Sequence, residues 1–209
     1  MKKKVNIIFA GGNQQRWNKS MIEGSPPIKQ LVELPNGDIL IDRTQAQFHN
    51  SIVVTNNKAI ELHAKTVRHD PDVPHCTCIA EALFHTRTLW VDWTTILLGD
   101  VVYGEETVKK IKHQDERIMF YGDKGEIYAI KFRKDMINVI LLAIHNLIQN
   151  EGWTSKFGKL WNLYRLITGV DYRNHEITTL FNYVADCTDF DNIKQYTEYM
   201  DKCRSQKNT

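Results

Sequence analysis

The chain has 209 residues, a quarter of them charged, and a formal net charge of +2. That length is enough for one full core, and so even a charge balance excludes the broad basic field that nucleic-acid binders present. Lys2-Lys3-Lys4 precedes an apolar run too short for a signal peptide, and the most apolar later stretch, Met136 to Ile148, is broken by Asn138, His145 and Asn146 before it could span a bilayer. A cytoplasmic protein with no membrane and no nucleic-acid partner is expected.

In chain order, Val5 to Phe9 reads as a buried strand that empties into Ala10-Gly11-Gly12. Asn18 to Pro27 is polar and poor in helix signals, a segment free to fold over a ligand. Asn36-Gly37-Asp38 announces a helix over Ile41–Phe48; Ser51–Thr55 is a second strand, Lys58–Ala64 a short helix, and Lys65–His69 a third strand. Thr77–Arg87 is helical, and Thr94–Leu98 is an apolar strand stopped by Gly99-Asp100. Gly104–Lys112 is a helix. Arg117–Tyr121 and Glu126–Phe132 come next as strands that need not be parallel, linked through Asp123-Lys124-Gly125. Helices over Lys134–Asn150 and Lys156–Ile167, a short strand at Asn182–Ala185 and a closing helix over Phe190–Met200 complete the chain. Strands alternating with helices over the first half predict an α/β protein: a three-layer sandwich with a mixed, mostly parallel sheet and helices on both faces. No repeat or linker divides it, so a single domain over 1–209 is expected.

Three features carry chemistry. A strand that ends in Gly11-Gly12, with Arg16 just beyond, can cradle phosphate: glycine lets backbone N–H groups approach oxygen closely, and the guanidinium adds charge. It is neither a Walker A loop, which needs Gly-Lys-Ser/Thr, nor a dinucleotide fingerprint, which needs two more glycines. Lys29 lies in Pro26-Pro27-Ile28-Lys29-Gln30-Leu31, where prolines stiffen the approach and the apolar Leu31 and Leu34 anchor the chain just beyond the lysine. Asp100 stands at the carboxyl end of a central strand, where open α/β sheets bind ligands, and a carboxylate there suits Mg²⁺. The four cysteines form no Cys-x-x-Cys pair, and His75-Cys76-Thr77-Cys78 reads as reduced thiols near a strand-to-helix junction.

Together these stretches resemble the nucleotidyltransferase family that activates sugar phosphates and related phosphate esters. Phe9-Ala10-Gly11-Gly12-Asn13-Gln14-Gln15-Arg16 is similar to the family's Ala/Gly-Gly-x-Gly-x-Arg motif, with Gln14 in place of a second glycine. Ile28-Lys29-Gln30-Leu31 is similar to its Pro-Lys-x-Leu, with Ile28 in place of proline, and Leu97-Leu98-Gly99-Asp100-Val101 to its metal-aspartate strand. The run Asp186-Cys187-Thr188-Asp189-Phe190-Asp191-Asn192-Ile193 resembles the late Asp-x-Asp/Asn-Thr-Pro-Glu-Asp segment, with Thr188 at the second acid.

The resemblance implies a nucleotide-diphospho-sugar-transferase-like fold, with a nucleotide-binding half over 5–112 and an acceptor half over 113–209. It implies an Mg²⁺-dependent enzyme that moves a nucleoside monophosphate from an NTP to a small phosphorylated metabolite and releases pyrophosphate. Arg16, Lys29 and Asp100 would be catalytic. Ala10, Gly11, Gly12, Asn13, Gln14 and Thr77 would line the nucleotide, and Lys124 and Glu126 the acceptor. Asp100 and Asp186 would hold the metal, with Asp189 as the other candidate for the second position. A homodimer is one assembly to expect. The rival readings are a glycosyltransferase of the same fold, against which the absence of Asp-x-Asp at Asp100-Val101-Val102 counts, and a nucleotide-binding protein that has lost its metal centre.

Overall fold

The computed structural model describes residues 2–11, 15–69, 79–151, 160–170 and 176–207. Its frame is a seven-stranded sheet. The strands are β1 (Lys4–Phe9), β2 (Ser51–Thr55), β3 (Val67–His69), β4 (Trp93–Leu98), β6 (Ile118–Gly122), β7 (Ile127–Arg133) and β8 (Phe181–Tyr183), in the order β3-β2-β1-β4-β7-β6-β8. Among the described strands of this sheet, β7 alone runs against its neighbours; the pairs β1–β2, β1–β4, β2–β3 and β6–β8 are parallel. The sheet is therefore mostly parallel, and it draws strands from both halves of the chain.

The central strands are covered on both faces and are mostly apolar, with Asn6 in β1 and Thr94 and Thr95 in β4 as polar breaks. Successive residues still part company: Val5, Ile7 and Phe9 enter one hydrophobic cluster and Ile8 another. The first cluster takes in Ala80 and Leu83 of α4 (Ile79–His85), Ile140 and Ile144 of α6 (Ile137–Glu151), and Leu163 and Tyr164 of α7 (Leu160–Thr168). The second takes in Ile41 of α2 (Leu40–Gln47), Ile60 of α3 (Lys58–His63) and Val108 and Ile111 of α5 (Glu105–His113). Helix, sheet and helix make three layers, as the alternating pattern predicts. Among the described residues no helix is long and apolar enough to cross a membrane.

Two pieces depart from the sequence reading. The first is α1 (Gln15–Ser20), which runs into the start of Asn18–Pro27, the stretch expected to be helix-poor and free to fold over a ligand. Trp17 on it is fully buried, and its indole N–H donates to the Pro26 carbonyl at 2.9 Å. Ser20 Oγ accepts the Ile193 amide at 3.0 Å, at the start of α8 (Ile193–Lys207). An anchored aromatic and a bond across the chain hold this stretch in place. The second is a separate two-stranded sheet, β5 (Val101–Val102) with β9 (Thr188–Asp189), antiparallel, pairing Val101 with Asp189 and Val102 with Thr188. The closing helix accordingly starts at Ile193, while Phe190 is buried.

A third cluster of Trp17, Val32, Leu34, Leu40, Val102, Phe190 and Ile193 packs these pieces together at one end of the molecule. Phe190 meets Tyr196 and Tyr199 edge-on, with ring centroids 5.5 and 5.4 Å apart, and the Tyr196 hydroxyl donates to the Glu33 carbonyl at 2.7 Å. This cluster joins the segment carrying Lys29, the segment after Asp100 and the segment flanking Asp189.

Candidate active site

The strand order turns between β1 and β4: the chain leaves β1 toward β2 and β3 on one side and returns to β4 on the other. The carboxyl ends of these two strands therefore bound the crevice in which such sheets take ligands. Gly99 closes that corner. Its amide donates to the Phe9 carbonyl at 2.8 Å, and a Cβ there would lie 2.7 Å from that same oxygen. Only glycine lets the two chains approach so closely.

Ala10 is buried at the end of β1. Its amide donates to the Val54 carbonyl at 3.0 Å, and its carbonyl accepts the buried Thr55 hydroxyl at 2.7 Å. The same hydroxyl accepts the Asn57 amide, and Asn57 Oδ1 caps α3 through the Ala59 amide. One threonine thus ties the root of the first loop to the next strand and helix. Gly11 is half-buried beside it. Gly12, Asn13, Gln14 and Thr77, expected at the nucleotide, lie outside the described residues, and Arg16 is placed on α1 with its side chain outside them.

Asp100 and Lys29 meet. The Lys29 ammonium, on a short 3-10 turn over Lys29–Leu31, donates to Asp100 Oδ2 in an ion pair whose side chains are 13% and 20% exposed. Burial alone would lower the lysine's pKa; Asp100, then Asp189 and Asp191, outweigh it and hold the group above its ordinary value. Asp189 is the residue the sequence left open. Pairing of β9 with β5, extended by the Phe190 amide on the Asp100 carbonyl at 3.2 Å, brings its carboxylate beside Asp100. Burial, then the charges of Asp100 and Asp191, push its carboxyl up to about 8, with Lys29 opposing and Glu126 adding. Asp189 Oδ1 is buried and has no hydrogen-bond partner among the described residues. The cluster thus crowds carboxylates around a single lysine and leaves one buried oxygen unsatisfied.

Asp186 is placed elsewhere. Its Oδ2 accepts the Glu106 and Thr107 amides at 3.1 and 3.2 Å, and its Oδ1 the Thr107 hydroxyl. It caps α5 from a distant part of the chain, over Gly104, where a Cβ would lie 2.1 Å from Asp186 Oδ2. Burial would raise its pKa, but the Thr107 hydroxyl and the helix amides outweigh it and lower it. Three donors already occupy this carboxylate.

Asp123 closes the β6–β7 hairpin, the region expected to meet the acceptor. Its Oδ1 accepts the Gly125 and Glu126 amides at 2.6 and 2.9 Å, and its Oδ2 the Tyr128 hydroxyl at 2.6 Å. Lys124 is exposed at the hairpin tip, and half-buried Glu126 is close enough to Asp189 to raise its pKa. The structure therefore turns Glu126, not Lys124, toward the carboxylate group.

Sequence reasoning missed Tyr103. Fully buried, its hydroxyl accepts the Leu98 amide at 2.9 Å and lies 2.7 Å from the Tyr128 carbonyl, bridging β4 to β7 one residue before Gly99-Asp100. Nothing in the run Asp100-Val101-Val102-Tyr103 signals it, because its partners are set by the sheet.

Among the described residues, no group of three or more His, Cys, Asp and Glu is set to hold a metal. A cation here would rest on two carboxylates and complete its shell with phosphate oxygens and water, which is the habit of Mg²⁺. The orphaned oxygen of Asp189 and the hard, all-oxygen donor set fit such an ion.

The fold is shared with solved nucleotidyltransferases. A CTP:phosphocholine cytidylyltransferase from Streptococcus pneumoniae is 11% identical, with 97% of this chain and 100% of that one covered at a TM-score of 0.63. An inositol-1-phosphate CTP transferase from T. maritima is 16% identical, covering 95% of each at 0.61. A nucleotidyl transferase from Methanothermobacter thermautotroptrophicus is 17% identical, covering 95% and 96% at 0.66. No protein-family profile matches the sequence, and no curated protein matches it closely enough to count as a relative.

Proposed function

We propose that the chain transfers a nucleoside monophosphate from an NTP to the phosphate of a small metabolite, with release of pyrophosphate, and that Asp100 and Asp189 hold the Mg²⁺ the reaction uses. The observation that carries this reading is the meeting of Lys29 with two carboxylates at the corner between β1 and β4. Lysine, carboxylate pair and the glycine-rich end of β1 are the parts that phosphoryl-group chemistry needs in one place. The names of similar structures, with CTP as donor and phosphocholine or inositol-1-phosphate as acceptor, point to the same donor and acceptor classes.

A metabolite phosphate is largely dianionic near neutral pH, so it can attack the α-phosphorus without a general base. Catalysis then rests on positioning and charge. Amides of the loop after β1, from Gly11 onward, bind the nucleotide. Lys29 neutralises charge on the α-phosphoryl group as pyrophosphate leaves, and Arg16 holds the outer phosphates. Asp100 and Asp189 would hold Mg²⁺, which when bound would supply positive charge to the reacting phosphates. Glu126 accepts hydrogen bonds from the acceptor, Lys124 adds charge at the rim, and Thr77 contacts the base or ribose.

The test is pyrophosphate release from each of the four NTPs, against a panel of sugar, polyol and choline phosphates with Mg²⁺. One donor–acceptor pair should give release that disappears in Asp100→Asn. Absence of release from every pair, or equal turnover in Asp100→Asn, overturns the reading; hydrolysis of a nucleotide sugar without pyrophosphate chemistry would assign the chain to sugar transfer instead.

A further inference from the structure

The ion pair at the centre of the site places a cation on the carboxylate that the proposed function reserves for Mg²⁺. Lys29 reaches Asp100 Oδ2 directly. The same ammonium feels Asp189 and Asp191, and both partners are largely withdrawn from water. A lysine ammonium is a compact point charge on a flexible four-carbon stem, well suited to leaving one anion for another. A metal ion on Asp100 Oδ2 competes with the ammonium for the same oxygen, and the repulsion of two cations at such short range is large where water is scarce.

We propose that Lys29 and the divalent cation exclude one another at Asp100. Resting on that carboxylate, the ammonium is a tethered surrogate for the metal. When the metal takes Asp100, Lys29 is released toward the triphosphate, where its charge is used. This inference rests on the reading of Asp100 and Asp189 as the metal pair. It adds that metal binding and delivery of the catalytic lysine are one coupled step. Coupling of this kind has a direct thermodynamic sign: removing the competing ammonium must tighten metal binding, because the metal no longer displaces anything. A lysine that merely assisted the metal site would give the opposite sign.

The experiment is Mn²⁺ binding to the nucleotide-free protein, read as the loss of the free-ion electron paramagnetic signal, for wild type, Lys29→Met, Asp100→Asn and Asp189→Asn. Lys29→Met is expected to bind Mn²⁺ at least tenfold more tightly than wild type, and both Asp variants to lose the site. Unchanged or weaker binding in Lys29→Met, with the Asp variants still losing the ion, overturns the competition while leaving the metal pair standing. Retention of the ion by both Asp variants overturns the metal pair and the competition with it.

A second measurement needs no variant. Site-resolved acetylation of wild type, read by mass spectrometry, should show Lys29 modified several-fold faster in Mg²⁺ than in chelator, with Lys194 on the exposed face of α8 unchanged. Equal modification of Lys29 under both conditions overturns the proposal.

Discussion

At the scale of single residues, Asp186 and Asp189 show how one short segment divides its labour. They stand three apart, and their local sequences are too alike to say which of them belongs to the proposed metal pair. The difference is made by partners far along the chain: Thr107 and Glu106 take Asp186, whereas β5 draws Asp189 to Asp100. Their substitutions should therefore fail in opposite ways. Asp186→Ala removes a helix cap and should cost ~1 kcal/mol of unfolding free energy in a denaturant titration, with the Mg²⁺ dependence of turnover retained. Asp189→Asn should stop turnover yet leave the melting temperature equal or higher, since it replaces a carboxyl whose ionisation burial and the neighbouring acids oppose with a neutral amide of the same shape. Arg16→Ala should slow turnover at least tenfold, because a charge-assisted contact to the reacting phosphates is worth ~2–4 kcal/mol; steady-state kinetics would read it.

At the scale of elements, legibility in the sequence depends on run length. β1, β2 and β4 are mostly apolar strands of five or six residues, and α6 carries a stripe of apolar residues, so local patterning announces them. β5 and β9 have two residues each, too few for any period, and they exist only because they pair with each other. α1 is six mostly polar residues; its one signal is Trp17, whose burial depends on α8 folding over it. The unreadable elements are the ones that finish the site, and the cluster around Phe190 holds them. Phe190→Ala should cost about 3–5 kcal/mol and uncouple Asp189 from Asp100, so that Mn²⁺ affinity falls with stability. Tyr103→Phe leaves the Leu98 amide and the Tyr128 carbonyl short of their partner and should cost ~1–3 kcal/mol in the same titration.

At the scale of the whole molecule, the sheet is a frame whose carboxyl end bears the proposed site and whose other end is held by buried contacts of its own. Lys131 makes such contacts. Its ammonium, 6% exposed, donates to the carbonyls of Ile111, Lys112 and Gln114 where α5 ends. Burial, with Lys4 nearby, pushes its pKa down from 10.5 to about 8. Between those values the unfolded chain keeps a proton that the folded chain has released, so this residue's contribution to stability rises with pH across that window. The difference in unfolding free energy between wild type and Lys131→Met should shift in favour of wild type from pH 8 to 10.5; a difference that is flat with pH would contradict it.

The fold class, the strand that bears Asp100 and the position of Lys29 were legible because each is announced by its neighbours in sequence. The carboxylate pair was only half legible, because its second member is chosen by a strand pairing across the molecule. The proposed chemistry depends on that pair more than on any other feature. A crystal of the protein with Mn²⁺ and a non-hydrolysable NTP, measured for anomalous scattering from manganese, tests it directly. The expected result is one metal peak coordinated by both Asp100 and Asp189, with Asp186 still capping α5. A peak on Asp186, or a nucleotide-bound structure whose metal touches neither Asp100 nor Asp189, would contradict it.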